Sequence, residues 1–176
     1  MTGSARVFFA LWPDEAVRRA LHGAASALHR VLSGRATRAP SIHMTLLFLG
    51  DVEEPRLEAL HDCAGGLKVE SFSMSLDRAA CWRHNRIAWV GPTVTPPALE
   101  DFVTRLRAAV AQAGFVFDRK AFAPHVTLVR NATCRPMDEA IAPIEWAVSG
   151  FVLVRSRLDA SGSRYETIGS WAGAQA

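Results

Sequence analysis

Two tetrapeptides carry the same residue types at the same spacing, His43-Met44-Thr45-Leu46 and His125-Val126-Thr127-Leu128. Along a strand, residues i and i+2 share a face. His43 and Thr45 therefore point one way, with Met44, Leu46 and Phe48 on the other side. His125 and Thr127 repeat the arrangement, with Val126 and Leu128 opposite. One such tetrapeptide is ordinary, but two in a chain of 176 residues should arise by chance with probability on the order of 10⁻⁴. Two imidazoles and two hydroxyls around one cleft suit a phosphodiester. One histidine activates water, the other protonates the leaving oxygen, and a pKa near 6.5 lets either take either role. The hydroxyls hold the non-bridging oxygens. No metal or other cofactor is expected, because the leaving oxygen departs protonated.

Competing chemistries lack their residues. A catalytic zinc site needs a third ligand, with H-E-x-x-H or a cysteine pair nearby, and neither occurs. G-x-S-x-G, G-x-x-x-x-G-K and G-x-G-x-x-G are also absent, which removes support for a serine nucleophile or a nucleotide-binding loop. Apolar residues at 49% and charged residues at 21% exclude disorder. The apolar runs fall far short of the ~20 residues that span a bilayer, and Val7 to Trp12 is too short for a signal peptide. Lys+Arg 20 against Asp+Glu 17 gives a net charge of +3, too small to establish a nucleic-acid partner. Only Lys68 and Lys120 are lysines, so the basic residues are nearly all arginine. Cys63, Cys81 and Cys134 are odd in number without C-x-x-C spacing, which argues against a disulfide framework and fits a reducing cytoplasm.

Strands and helices alternate around the two motifs. Arg6 to Trp12 reads as a strand stopped by Pro13. Asp14 caps a helix whose apolar positions run from Val17 to Leu32, and Gly34 ends it. Arg35 to Ser41 reads as a loop, His43 to Leu49 as a strand, and Pro55 to Ala64 as a short helix. Val69 to Leu76 alternates, and Ala79 to Trp82 with Arg86 to Val90 forms a hairpin. Pro97 to Ala113 is a helix closed by Gly114. His125 to Val129, Trp146 to Arg157 (bent at Gly150) and Tyr165 to Trp171 are strands. This order is α+β, with helices covering largely antiparallel sheet. No linker divides the chain, so residues 1–176 form one domain, and the repeated motif implies two pseudo-symmetric lobes.

The chain resembles the 2H phosphoesterase superfamily, and within it the RNA 2′,3′-cyclic phosphodiesterases, also called 2′-5′ RNA ligases. The resemblance lies in RVFFALWPDEAVRRAL, HMTLLFLGDV, RIAWVG, RKAFAPHVTLVR and SRLDASGSRYETIGSW. It implies a bilobal, duplicated α+β fold: two mainly antiparallel sheet lobes flanked by helices, with a positively charged active-site cleft between them. It implies hydrolysis of a terminal RNA 2′,3′-cyclic phosphate to a 2′-phosphate, with weak 2′-5′ ligation as the reverse reaction. By the same resemblance His43 is the proton donor, His125 the proton acceptor, and Thr45 and Thr127 hold the phosphate. The spacing alone allows the opposite division of labour.

Arg130 follows the second motif as a third phosphate contact. Strict alternation turns it away from His125 unless the strand bulges. Arg83, His84, Arg86, Arg119 and Lys120 are candidates for the groove rim, and Phe122 and Tyr165 for base stacking. His22, His29 and His61 read as surface residues. The expected partners are RNA ends or nucleotides bearing a cyclic phosphate, with no membrane and no obligate protein partner. The alternatives are a non-catalytic RNA- or nucleotide-binding module, and the same chemistry on ADP-ribose 1″,2″-cyclic phosphate.

Overall fold

Val7, Phe9 and Leu11 face the main core while Arg6, Phe8 and Ala10 face the other way along β1 (Ser4–Leu11). The computed structural model describes residues 3–159 and 162–173. Ala160 and Ser161, within the segment resembling the family's last hairpin, lie outside them. The Asp14 carboxylate accepts from the Val17 amide at 2.8 Å, which satisfies a free N–H at the start of α1 (Glu15–Leu32). The stretch read as a loop holds a two-residue strand, β2 (Arg35–Ala36), and a 3₁₀ turn at Ala39–Ser41. Then follow β3 (Met44–Glu53), α2 (Leu57–Gly65), β4 (Phe72–Trp82), β5 (Ile87–Gly91), α3 (Pro97–Gln112) and β6 (Val126–Arg130). A register shift between Leu76 and Arg78 breaks the alternation inside β4, so one strand reads as two in sequence.

The last third departs most from expectation. Where one bent strand was expected over 146–157, there are two: β7 (Asp138–Val148) and β8 (Gly150–Asp159). The first half of β7 escapes notice because it is acidic and contains Pro143. It is an edge strand of its sheet, where a missing N–H is tolerated. The final strand is β9 (Gly162–Ala172).

All pairings are antiparallel, in the order β7-β4-β5-β6-β3-β1-β8-β9. The order divides into two four-strand halves that meet at a single residue pair, Met44 with Val126. Where β3 diverges, β2 takes over the free edge of β6, with Arg35 opposite Arg130. The helices cross between halves. Helix α1 follows β1 but packs on β6 and β7, while α3 follows β5 but packs on β3 and α2. Phe102 of α3 meets Phe151 of β8 at 4.7 Å between ring centres. A second, small cluster of Phe8, Ala10 and Val154, with Trp12 and Tyr165 against it, lies on the opposite face of the sheet.

The cysteines correct the sequence expectation. Cys81 at the end of β4 and Cys134 beyond β6 form a disulfide, and Cys63 is free. The odd count hides one bridge and one spare thiol. A pairing across 53 residues leaves no local spacing signal.

Candidate active site

Met44 and Val126 face each other across antiparallel strands. The same register, continued one residue each way, sets His43 opposite Thr127 and Thr45 opposite His125. The four side chains share one face, and the two histidines are diagonal neighbours, about 7–8 Å apart at the backbone. Each copy of the motif is thus completed by the other.

Each imidazole is held in the same way. Nδ1 of His43 lies 2.8 Å from the Ser41 carbonyl, and Nδ1 of His125 lies 2.8 Å from the Ala123 carbonyl. A carbonyl oxygen only accepts, so Nδ1 carries the hydrogen in both rings and Nε2 is left to take or give a proton. Nε2 of His43 is 3.2 Å from the Thr45 hydroxyl. Rings enclose both histidines. Trp12 stacks on His43 at 5.3 Å with planes 6° apart, Phe8 lies at 4.9 Å, and Tyr165 stands edge-on at 5.1 Å. Trp82 meets His125 edge-on at 4.5 Å, with Trp89 at 6.3 Å.

This enclosure pulls both pKa values down. Burial is the main cause for His43, whose pKa falls to about 4; Arg130 and His125 add to the shift and the Ser41 carbonyl opposes it. His125 is lowered by burial and by Arg130, against the Ala123 carbonyl.

A matching irregularity occurs at the fourth residue of each motif. Opposite β1, Ala10 pairs with Thr45 and Phe9 with Leu47, leaving Leu46 unopposed. Opposite β5, Trp89 pairs with Thr127 and Ala88 with Val129, leaving Leu128 unopposed. An extra residue reverses the alternation beyond it. Arg130 therefore joins the face of Thr127, the one route by which it could reach the site. The bulge in β3 overturns the expected facing of Phe48, which joins the face of Thr45 and is 42% exposed.

Two adjoining cavities, of about 220 and 380 Å³, open over this face and share Arg35, His43, Arg130, Ser163 and Tyr165. The first adds Thr37, Arg38, Ser41 and Thr127, and the second adds Arg6, Phe8, Thr45, Phe48, Ser156 and Leu158. Their walls hold four arginines and, among the described residues, no carboxylate. The Arg35–Arg38 wall is tied to the second motif. The Thr37 amide donates to the Leu128 carbonyl at 2.8 Å and its hydroxyl to the Thr127 carbonyl at 3.0 Å. Gly34 makes this approach possible. A Cβ there would lie 2.5 Å from the Arg130 carbonyl oxygen, and its φ of +85° suits only glycine.

Of the rim and stacking candidates, Tyr165 alone lines the cavities, and of the four motif histidines and threonines His125 alone lines neither. Arg86 donates to the carbonyls of Asn131 and Ala132, and His84 packs near Trp82. Lys120 pairs with Asp118, Arg83 and Arg119 are exposed away from the cavities, and Phe122 packs against the main core. His22, His29 and His61 are exposed, as expected. Sequence reasoning missed Arg6, Arg35, Arg38 and the rings of Phe8, Trp12, Trp82 and Trp89. Arginines five and eight residues before the first motif were the available signal, but a polar loop hides them. Among the described residues no group of three His, Cys, Asp or Glu is placed to hold a metal ion, and no helix is long and apolar enough to cross a membrane.

Known proteins share this architecture. The RNA 2′,3′-cyclic phosphodiesterase of Escherichia coli K12 is 31% identical, with 98% of each chain covered. The protein of the same name from Thermus thermophilus is 29% identical over 93% of this chain and 87% of its own. The crystal structure of E. coli LigT complexed with 3′-AMP superposes with a TM-score of 0.89 at 29% identity, covering 98% of this chain and all of that one. The profile of the 2′-5′ RNA ligase superfamily matches residues 12–160, both motifs included. The chain belongs to the 2′-5′ RNA ligase superfamily.

Proposed function

We propose that this protein opens the terminal 2′,3′-cyclic phosphate of RNA, leaving a 2′-phosphate and a free 3′-hydroxyl. The observation that carries the reading is the pair of imidazoles, each fixed through Nδ1 to a carbonyl, with His43 and both motif threonines on cavity walls that hold four arginines and, among the described residues, no carboxylate. The names of the relatives and the 3′-AMP of the E. coli LigT complex agree with it.

In the step we infer, Nε2 of His125 takes a proton from water as its oxygen attacks phosphorus. The bond from phosphorus to O3′ breaks, and Nε2–H of His43 protonates the departing oxygen. Thr45, Thr127 and Arg130 hold the non-bridging oxygens. A His43 pKa of about 4 leaves this donor uncharged at neutral pH in the empty cleft. The substrate supplies the correction. A phosphodiester anion offsets the charge of Arg130 and draws a proton onto Nε2, and the stacked Trp12 ring favours the resulting cation. A 5′-hydroxyl that replaces water at the same position yields a 2′-5′ bond instead.

The test is turnover of a 2′,3′-cyclic mononucleotide in EDTA, with products resolved by phosphorus NMR. The expected product is the 2′-monophosphate, formed at a rate that EDTA leaves nearly unchanged. His43→Ala and His125→Ala should each cost about 10²- to 10⁴-fold, and Thr45→Ala or Thr127→Ala less. Near-full activity in either histidine variant would sink the assignment, and loss in EDTA with recovery on zinc or manganese would point to a metal.

A further inference from the structure

The two bulges make Phe48 the counterpart of Arg130: each stands five residues after its motif histidine and is turned into the cleft by an unopposed leucine. One wall therefore offers a guanidinium where the other offers a ring. Without its bulge, Phe48 would point into the core. Instead Phe48 is 42% exposed and lines the larger cavity together with His43 and Thr45. Arg6 lies 4.9 Å from the centre of that ring. Asp51 stands opposite Arg6 in register, yet among the described residues Arg6 forms no ion pair.

The distance from the reacting phosphate matters. Arg6 is four residues along β1 from Ala10, which pairs with Thr45. That is about 13 Å of strand. A cyclic mononucleotide has one phosphate, and it sits at the histidines. Arg6 lines the same cavity as His43 and Thr45, but its backbone is set back along β1 from the motif, a placement that suits an anion other than the reacting phosphate, such as the next phosphodiester of a chain.

We propose that Phe48 and Arg6 form a subsite for the nucleotide on the 5′ side of the cyclic end. The ring stacks on its base, and the guanidinium pairs with a phosphodiester of the chain. Stacking on an aromatic platform tolerates any base, so the subsite selects for chain over mononucleotide and leaves sequence unread. It rests on the activity proposed above.

The experiment compares kcat/KM for a 2′,3′-cyclic mononucleotide and for a dinucleotide with the same cyclic end. The unmodified protein should prefer the dinucleotide. Phe48→Ala should lower the dinucleotide-to-mononucleotide ratio by about 5- to 100-fold, and Phe48→Trp should keep it. Arg6→Ala should reduce the salt dependence for the dinucleotide by about one charge. An unaltered ratio in Phe48→Ala, or no preference in the unmodified protein, overturns the subsite while leaving the proposed activity standing. Failure to hydrolyse either substrate overturns the activity, and the subsite with it.

Discussion

Burial among rings, more than any neighbouring charge, keeps His43 neutral in the empty cleft. Removing the stacked indole in Trp12→Ala should let water reach the imidazole and raise its pKa from about 4. Arg130→Ala should raise both imidazoles, because its charge depresses each. Proton NMR titration of the two rings checks both shifts, and unchanged curves would count against this account. Kinetics give a second view. The pH dependence of kcat/KM reports the free protein and that of kcat the complex. With both free-protein values lowered, the kcat/KM maximum should fall on the acid side of pH 6.5. The kcat maximum should lie higher, since bound phosphate lifts both imidazoles. Coincident profiles would mean that the anion does not recharge His43.

At the scale of elements, the bulges and the disulfide decide what surrounds the histidines. Cys81 precedes Trp82, whose ring rests on His125, and Cys134 lies just beyond β6. Closing a loop of 53 residues should contribute about 2–4 kcal/mol. Cys134→Ser, or reduction by a thiol, should lower Tm by about 2–4 °C for each kcal/mol lost; a calorimetric scan with and without reductant measures it. The His-x-Thr pairs were legible in sequence because type and spacing repeat, and α1 and α3 because cap, period and terminal glycine agree. Phe48 was not, because strict alternation assumes a strand without an inserted residue. Arg35 and Arg38 were not, because charged loop residues look alike whether or not they face a cleft. The first half of β7 was lost to its acidic residues and Pro143, and the disulfide to its span.

For the whole molecule, the two lowered imidazoles make stability depend on pH. Below pH 6.5 the unfolded chain binds protons that the folded chain refuses. The unfolded state then holds more protons, so stability falls with pH from about 6.5 down through about 4. Lowered carboxylates such as Glu15, with an ordinary value of 4.5, add to the loss only from about pH 5 downward. Urea midpoints at pH 7.5 and pH 5.5 should therefore differ, and the double variant His43→Ala, His125→Ala should shrink the gap. An equal gap in both proteins would assign the loss to other groups. An approximate dyad through the Met44–Val126 bridge relates the two walls of the cleft. On the reading proposed above, each flank of the phosphate offers an imidazole beside a hydroxyl, but the flanks are unequal: Trp12, Phe8 and Tyr165 enclose His43, while Trp82 and Trp89 lie against His125. A second mismatch adds to this, a ring at Phe48 against a guanidinium at Arg130. On the proposed reading, the polarity of a polynucleotide is told by these unequal walls, while the repeated motif itself carries none.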